Sequence, residues 1–322
     1  MKKISIVTAC YNEENNVNEI YERVRSVMKK VGRYRYEHIF IDNHSEDNTV
    51  SILKTIASKD KNVRIIVNSR NFGFVRSGIY SLFQASGDAV IGICADLQDP
   101  PEMIADFIGD WENGYKMVLA EKESSAENKH IFSIRKYYYR LVRKISSVKT
   151  FENVTGFGLY DKSVINIIKS FNDPYPYFRG MLAEIGLPHK LIPYHQQERK
   201  NGKSKSSVYV LYDFAMLGIT NFSKIPLRMV IFLGFFSSGV CLLVALFYFV
   251  YKLLFWSSFA LGEAPMIIGT FLFSSVQLIA LGILGEYIGS IHTYVQHRPY
   301  VIEQERVNFE YEPGLPMEEE KI

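Results

Sequence analysis

A chain of 322 residues can bury a sizeable core and divide into more than one domain, and 37 Lys and Arg against 34 Asp and Glu leave a net charge of only +3. That balance excludes a chain-wide polycation, and nucleic acid is not an expected partner because the local basic clusters have a simpler use beside anionic lipid. Three cysteines, Cys10, Cys94 and Cys241, lack paired metal-ligand spacing, and a reducing compartment disfavours disulfides, so each reads as a packing residue.

The first element, ISIVT (4–8), is a β-branched apolar run followed by a polar turn and a helical stretch over 17–30. EHIFID (37–42) is a second strand, and a turn with Asn43, Ser45 and Asp47 leads to a helix over 50–58. VRIIVN (63–68), a helix over 75–85 and AVIGICA (89–95) repeat the pattern. Strands alternating with helices of this length predict an α/β domain over 1–206, its mainly parallel sheet covered on both faces. The start, MKKISIVTACYNEE, has no apolar stretch long enough for a secretory signal, which places this domain in the cytosol.

Beyond it, RKYYYRLVRKISSVK (135–149) and RKNGKSK (199–205) are basic clusters suited to a surface beside anionic lipid. Residues 207–226 are apolar and aromatic, and read as a helix lying on a bilayer or packed in a core. Residues 227–254 and 265–291 each supply the roughly 20 apolar residues that a helix needs to cross about 30 Å of hydrocarbon, so a two-helix transmembrane hairpin is expected. Lys224, Arg228, His297 and Arg298 flank the pair while the linker lacks Lys and Arg, which puts both ends on the cytosolic side of a cytoplasmic membrane. Glu286 reads as a helix-packing contact or as a contact with an oligomer neighbour or headgroup, and Gly282, Gly285 and Gly289 permit close helix approach. Residues 295–322 form a cytosolic tail, and its end, EQERVNFEYEPGLPMEEEKI (303–322), is acidic and proline-interrupted and reads as poorly ordered.

Ligands of such sheets bind beyond the carboxyl ends of the strands. Tyr11 to Glu14, Asp42, Arg70-Asn71 and Asp96 to Asp99 are therefore expected to converge. Glu13 and Glu14 suit either a ligand or the positive end of the next helix. Asp42 suits a ribose hydroxyl, a base N–H or an Asx-turn. In Asp96-Leu97-Gln98-Asp99-Pro100-Pro101-Glu102, hard oxygen donors suit Mg2+ or Mn2+ with Asp96 as the metal carboxylate, whereas Asp99 reads chiefly as the start of a helix opened by the prolines.

VTACYNEENNV, IDNHSEDNT, NSRNFGFVRSG, ADLQDPPEMI, TGFGLYD, PYFRG and RKNGKSK, in this order and followed by two apolar segments, resemble the family 2 glycosyltransferases of GT-A fold. Within them the chain is similar to the polyprenyl-phosphate glycosyltransferases, over nearly all of 1–305. The resemblance implies inverting transfer of a sugar from a nucleotide sugar, UDP-linked by family precedent, to a polyprenyl phosphate in membrane lipid, by an enzyme that is a homo-oligomer. Tyr11, Glu13 and Asp42 would hold the nucleoside with Arg70 nearby; Asp96 and Gln98 match metal and diphosphate positions. Arg179 in YFRG and Arg199, Lys203 and Lys205 in RKNGKSK match basic positions for diphosphate and acceptor phosphate, and Arg135 is a further candidate for that pocket.

Three departures from the family pattern stand out. Asn43 replaces the second acid of DDGS, Cys94 the first acid of DAD, and Gly156 and Gly158 an acid and an arginine of GDFRLMD. The losses admit a non-catalytic nucleotide-sugar or lipid-phosphate binding protein as a rival. A processive polysaccharide synthase is disfavoured, because neither Trp111 nor Trp256 follows an arginine as in the Gln-x-x-Arg-Trp motif.

Overall fold

The structure, a computed structural model, describes residues 1–125, 151, 153–197, 225–255, 263–296 and 298–309. Arg135, Arg199, Lys203 and Lys205, and all but the last two residues of the segment expected to lie on a bilayer, are outside these residues. The chain forms two compact units, one α/β and one helical.

In the α/β unit the strands are β1 (Lys3–Cys10), β2 (Arg35–Asp42), β3 (Val63–Asn68), β4 (Ala89–Cys94), β5 (Met117–Ser125), β6 (Val154–Asp161), β7 (His189–Gln196) and β8 (Glu303–Val307). They form one sheet in the order β7-β5-β6-β4-β1-β2-β3-β8. The β4-β1-β2-β3 centre is parallel, while β6 and β8 run antiparallel to their neighbours.

Helices α1 (Val17–Val31), α2 (Thr49–Lys59) and α4 (Ile104–Glu112) pack on one face. Helices α3 (Phe74–Phe83), α5 (Lys162–Ser170) and α6 (Phe178–Ile185) pack on the other. Period-two alternation divides the strands between these layers: Phe40, Ile65 and Val67 join the first core, and Ile39, Ile41 and Ile66 the second. In α1 the buried positions Val17, Ile20, Tyr21, Val24, Val27 and Met28 recur at helical spacing, and Gly32 ends the helix at φ 63° with its N–H on Met28 O. Each fully buried aliphatic side chain contributes about 1.5–3 kcal/mol, so the alternation holds the register of the sheet.

The described part of the tail, up to residue 309, corrects the expectation of a poorly ordered tail there. Residues 303–307 return to the α/β unit as β8 along β3. Ser69 N donates to Ile302 O at 2.9 Å, Tyr80 Oη to Glu303 at 2.7 Å, and Asn308 Nδ2 to the carbonyls of Ala57 and Val63. Edge pairing satisfies a row of backbone groups on β3 that acidic composition alone does not reveal.

The helical unit holds α7 (Ile225–Leu254) and α8 (Glu263–Val295), which pack against each other. Among the described residues one stretch, Val276–Val295, is long and apolar enough to cross a membrane, and Ile225–Ser237 is a shorter apolar stretch. Large apolar side chains stand exposed on both helices, among them Phe232, Phe235, Phe236, Leu278 and Ile288.

Candidate functional site

Strand register brings the predicted clusters to one edge. Cys10 lies opposite Asp42, Ala9 opposite Cys94, and Asp42 opposite Val67. The loops leaving β1, β2, β3 and β4 therefore start side by side.

The first two loops are knitted together. Asn12 N donates to Ser45 Oγ and Glu46 N to Asn12 Oδ1, both at 2.8 Å, while Glu13 N donates to Thr49 Oγ1 at 2.8 Å. Glu14 Oε2 accepts from the backbone and side-chain nitrogens of Asn48, and Glu13 Oε2 accepts from Asn16 Nδ2 at 2.6 Å. Tyr11 and Glu13 are half-buried at this junction.

Asp42 is fully buried and forms the Asx-turn: Oδ2 accepts from Ser45 N at 2.8 Å and Oδ1 from Ser45 Oγ at 2.5 Å. Burial pushes its carboxyl above the ordinary range, against the Ser45 hydrogen bonds. Each oxygen accepts from Ser45, so a ligand would use the remaining lone pairs.

Asn43 has a use that its identity as a missing acid concealed. Its Oδ1 accepts from Asn68 Nδ2 and Phe72 N, and its Nδ2 donates to Asn71 Oδ1 at 2.8 Å. A carboxylate could not make that donation, so the asparagine fastens the loop after β3. On that loop Arg70 is exposed, donates to Asn71 O at 3.1 Å, and stacks 4.0 Å above the Phe72 ring.

At the end of β4, Asp96 is 9% exposed and accepts from Gln98 N at 3.3 Å. Between them Leu97 is buried at φ 58°, an uncommon left-handed conformation for a bulky residue, of the kind that concentrates at functional turns. Gln98 Nε2 donates to Gln197 O and Gln197 N to Gln98 O, so the residue after β7 clasps the turn. Cys94 is half-buried at the strand end.

Asp99 is not the helix start that its position before the prolines suggests. The 3-10 turn Pro101–Met103 begins without a side-chain cap, and Asp99, 5% exposed, accepts from Tyr194 Oη at 2.6 Å. Burial, with Asp96 close by, raises its carboxyl pKa, and burial followed by the Asp99 carboxylate holds the Tyr194 phenol well above its usual range. Tyr194 lies almost a hundred positions away on β7, so no local pattern pointed to it.

Gly156 and Gly158 are built into the sheet. Gly156 has φ +99°, and a Cβ there would lie 3.9 Å from Phe178, at the first turn of α6. The half-buried Arg179 is the next residue. At Gly158 a Cβ would meet Val118 O at 2.5 Å, so β5 and β6 can approach only without a side chain.

The cation chemistry of the edge can be tested on its donors. Asp96 and Gln98 offer a carboxylate and an amide, oxygen donors of the hard type that Mg2+ and Mn2+ take. Among the described residues no group of three His, Cys, Asp or Glu is arranged for a metal ion. The pair fits a cation that keeps most of its shell for water and substrate phosphates.

An open, mainly parallel sheet with its polar loops gathered at the carboxyl edge defines a ligand-binding α/β enzyme. The chain belongs to glycosyl transferase family 2, whose profile matches residues 5–168, and it is a glycosyltransferase. It is 35% identical over 306 residues to a bactoprenol glucosyl transferase of Shigella phage SfV, covering 94% of this chain and 99% of that one. A prophage bactoprenol glucosyl transferase homolog of Escherichia coli strain K12 is 32% identical, over 94% and 99% of the two chains. Among solved structures, glucosyl-3-phosphoglycerate synthase from Mycobacterium tuberculosis, in complex with Mn2+, UDP and phosphoglyceric acid, superposes at a TM-score of 0.46. That pair is 17% identical over 68% of this chain and 76% of the other.

Proposed function

We propose that this glycosyltransferase moves a sugar from a nucleotide sugar of the UDP-hexose type to polyprenyl (undecaprenyl) phosphate, at the cytosolic face of the cytoplasmic membrane and with inversion. The product is a lipid-phosphate sugar for cell-envelope glycosylation. The observation that carries this reading is the 35% identity to a bactoprenol glucosyl transferase over 306 residues, a match long enough to take in most of α7 and α8. The exposed apolar side chains on both helices favour lipid around them, as a two-span anchor requires. A homo-oligomer formed through these helices fits the small residues along α8.

Tyr11, Glu13 and Asp42 hold the nucleoside in this reading, with Arg70 at its side. Asp96 and Gln98 would hold Mg2+ or Mn2+, which supplies charge neutralisation for the leaving diphosphate when bound. Arg179, Arg199, Lys203 and Lys205, with Arg135, attract donor and acceptor phosphates and offset their mutual repulsion.

A phosphomonoester has a second pKa of about 6, so the acceptor is largely dianionic at neutral pH. Its oxygen attacks the anomeric carbon as the bond to the diphosphate oxygen breaks, and no proton has to be removed. The family resemblance gives the acid that Gly156 replaces the part of a catalytic base, which a dianionic phosphate acceptor does not need and a sugar hydroxyl would.

The test is incubation of purified protein with UDP-sugars, undecaprenyl phosphate and Mg2+ or Mn2+. A glycolipid product with inverted anomeric configuration is expected. Release of free sugar alone, or no product from any donor, would sink the reading. Calorimetry adds a check on order: Mn2+ is expected to bind appreciably only with the donor, and tight binding by itself would refute the small protein share assigned to Asp96 and Gln98.

A further inference from the structure

Three arginines meet where β3 leaves the sheet. Arg70 stacks on Phe72, the Arg76 guanidinium lies 5.4 Å from the same ring, and Arg76 Nη2 donates to Pro299 O beside Arg298. Burial, then the neighbouring Arg70 and Arg298, disfavour the charged form of Arg76. Its Nε is buried without a hydrogen-bond partner. Among the described residues none of the three has an ion-pair partner. A group of cations left without an acid is balanced by an anion from outside.

Two large apolar side chains share this surface. Phe74, at the start of α3, is 63% exposed, and Ile302 is 57% exposed, its carbonyl bonded to Ser69 N beside Arg70. Arg298 follows the last residue of α8, Val295, by three positions, a reach of at most about 11 Å. Arginine with aromatic and aliphatic side chains is the composition that seats at a bilayer interface, the head on phosphate and the apolar part below it.

We propose that Arg76, Arg298, Phe74 and Ile302, beside the Arg70 of the donor site, form a docking surface for the anionic phospholipid headgroups of the bilayer that receives α8. This rests on the membrane reading of that helix. The surface would hold the α/β unit against the membrane independently of the lipid substrate.

The test uses the full chain in nanodiscs of neutral phosphatidylcholine or of phosphatidylcholine with phosphatidylglycerol, read by hydrogen exchange. On the anionic discs, residues 70–77 and 298–302 are expected to exchange about fivefold more slowly, the size of one arginine at an anionic surface. The protection should vanish at about 1 M salt, where the Debye length is roughly 3 Å, and in the Arg298→Glu and Phe74→Ser variants. Exchange in β1 to β4 shows whether each variant is folded, and 49–59 should not respond to lipid.

Equal exchange in both lipids overturns the proposal. So does protection that grows with the number of copies per disc, which would assign the surface to a second chain, or protection by inorganic phosphate in neutral discs. A chain that does not enter discs at all refutes the membrane reading instead.

Discussion

Carboxylates at the two ends of the central strands are treated oppositely. At the amino end Glu37, 2% exposed, pairs with Lys3 at 2.7 Å and Arg64 at 2.8 Å and accepts from Ser5 and Ser86. Burial opposes its charge, yet these partners hold its pKa below the ordinary range. Asp161, at the same edge opposite Ala89, accepts from Ser163, Trp111 and Lys116 and is lowered to about 2 against the effect of burial.

At the carboxyl end burial prevails at the two deeply buried acids, Asp42 and Asp99, which are raised, whereas the half-buried Asp47 of the loop after β2 is lowered, its hydrogen bonds from Thr49 and Glu14 outweighing burial. Acids that are satisfied at one edge and short of positive charge at the other agree with the ligand edge proposed above. Glu37 and Asp42, both buried, are separated by their partners and not by their burial.

The sharpest way to break this contrast is to remove one acid from each edge. Glu37→Ala leaves Lys3 and Arg64 beside an empty partner position and is expected to cost about 3–5 kcal/mol in unfolding of the purified chain, with activity per folded molecule retained. Asp96→Ala is expected to lower kcat/KM by about 10²–10³-fold, as loss of an electrostatic stabiliser does, with thermal stability kept. In the same assay Cys94→Ala should change little. A Cys94→Ala enzyme as inactive as Asp96→Ala would overturn the packing role of the thiol.

Tyr194→Phe sharpens the contrast at the carboxyl end. It leaves buried Asp99 without its 2.6 Å donor, a deficit of about 1–3 kcal/mol, and should raise the KM for Mn2+ about tenfold while kcat moves less. A loss of stability with no change in metal dependence would make Tyr194 merely structural. Gly156→Asp introduces the acid expected from the family pattern, but at φ +99° it should add no activity and cost about 1–2 kcal/mol of stability.

The smallest effect is one of pH. Asp161 is lowered in the fold, so its contribution is complete above the unfolded value of about 3.9 and is lost as pH falls towards about 2. Asp161→Asn should flatten that part of the acid-unfolding curve. An unchanged curve would assign acid sensitivity to Glu37 and its neighbours.

Much of the α/β architecture was legible because its signals are local. The β-branched runs at 4–8, 37–42 and 63–68 and the helical spacing in α1 do not depend on distant residues. The convergence of Asp42, Arg70 and Asp96 on one edge followed from parallel topology alone. Tyr194 and Asn43 were not legible: Tyr194 acts on Asp99 from another strand, and the value of Asn43 lies in donating to Asn71, which only the loop geometry discloses.

By itself, then, the sequence determined the alternation of strands and helices, the family and the residue types available for phosphate and cation chemistry, because periodicity and motif order are properties of the chain. The tertiary structure alone decided that the tail adds a strand to β3, that Asp99 serves Tyr194 rather than a helix, and that Gly158 admits no side chain. Each depends on which backbone lies a few ångströms away, and distance across a fold is not written in distance along a chain.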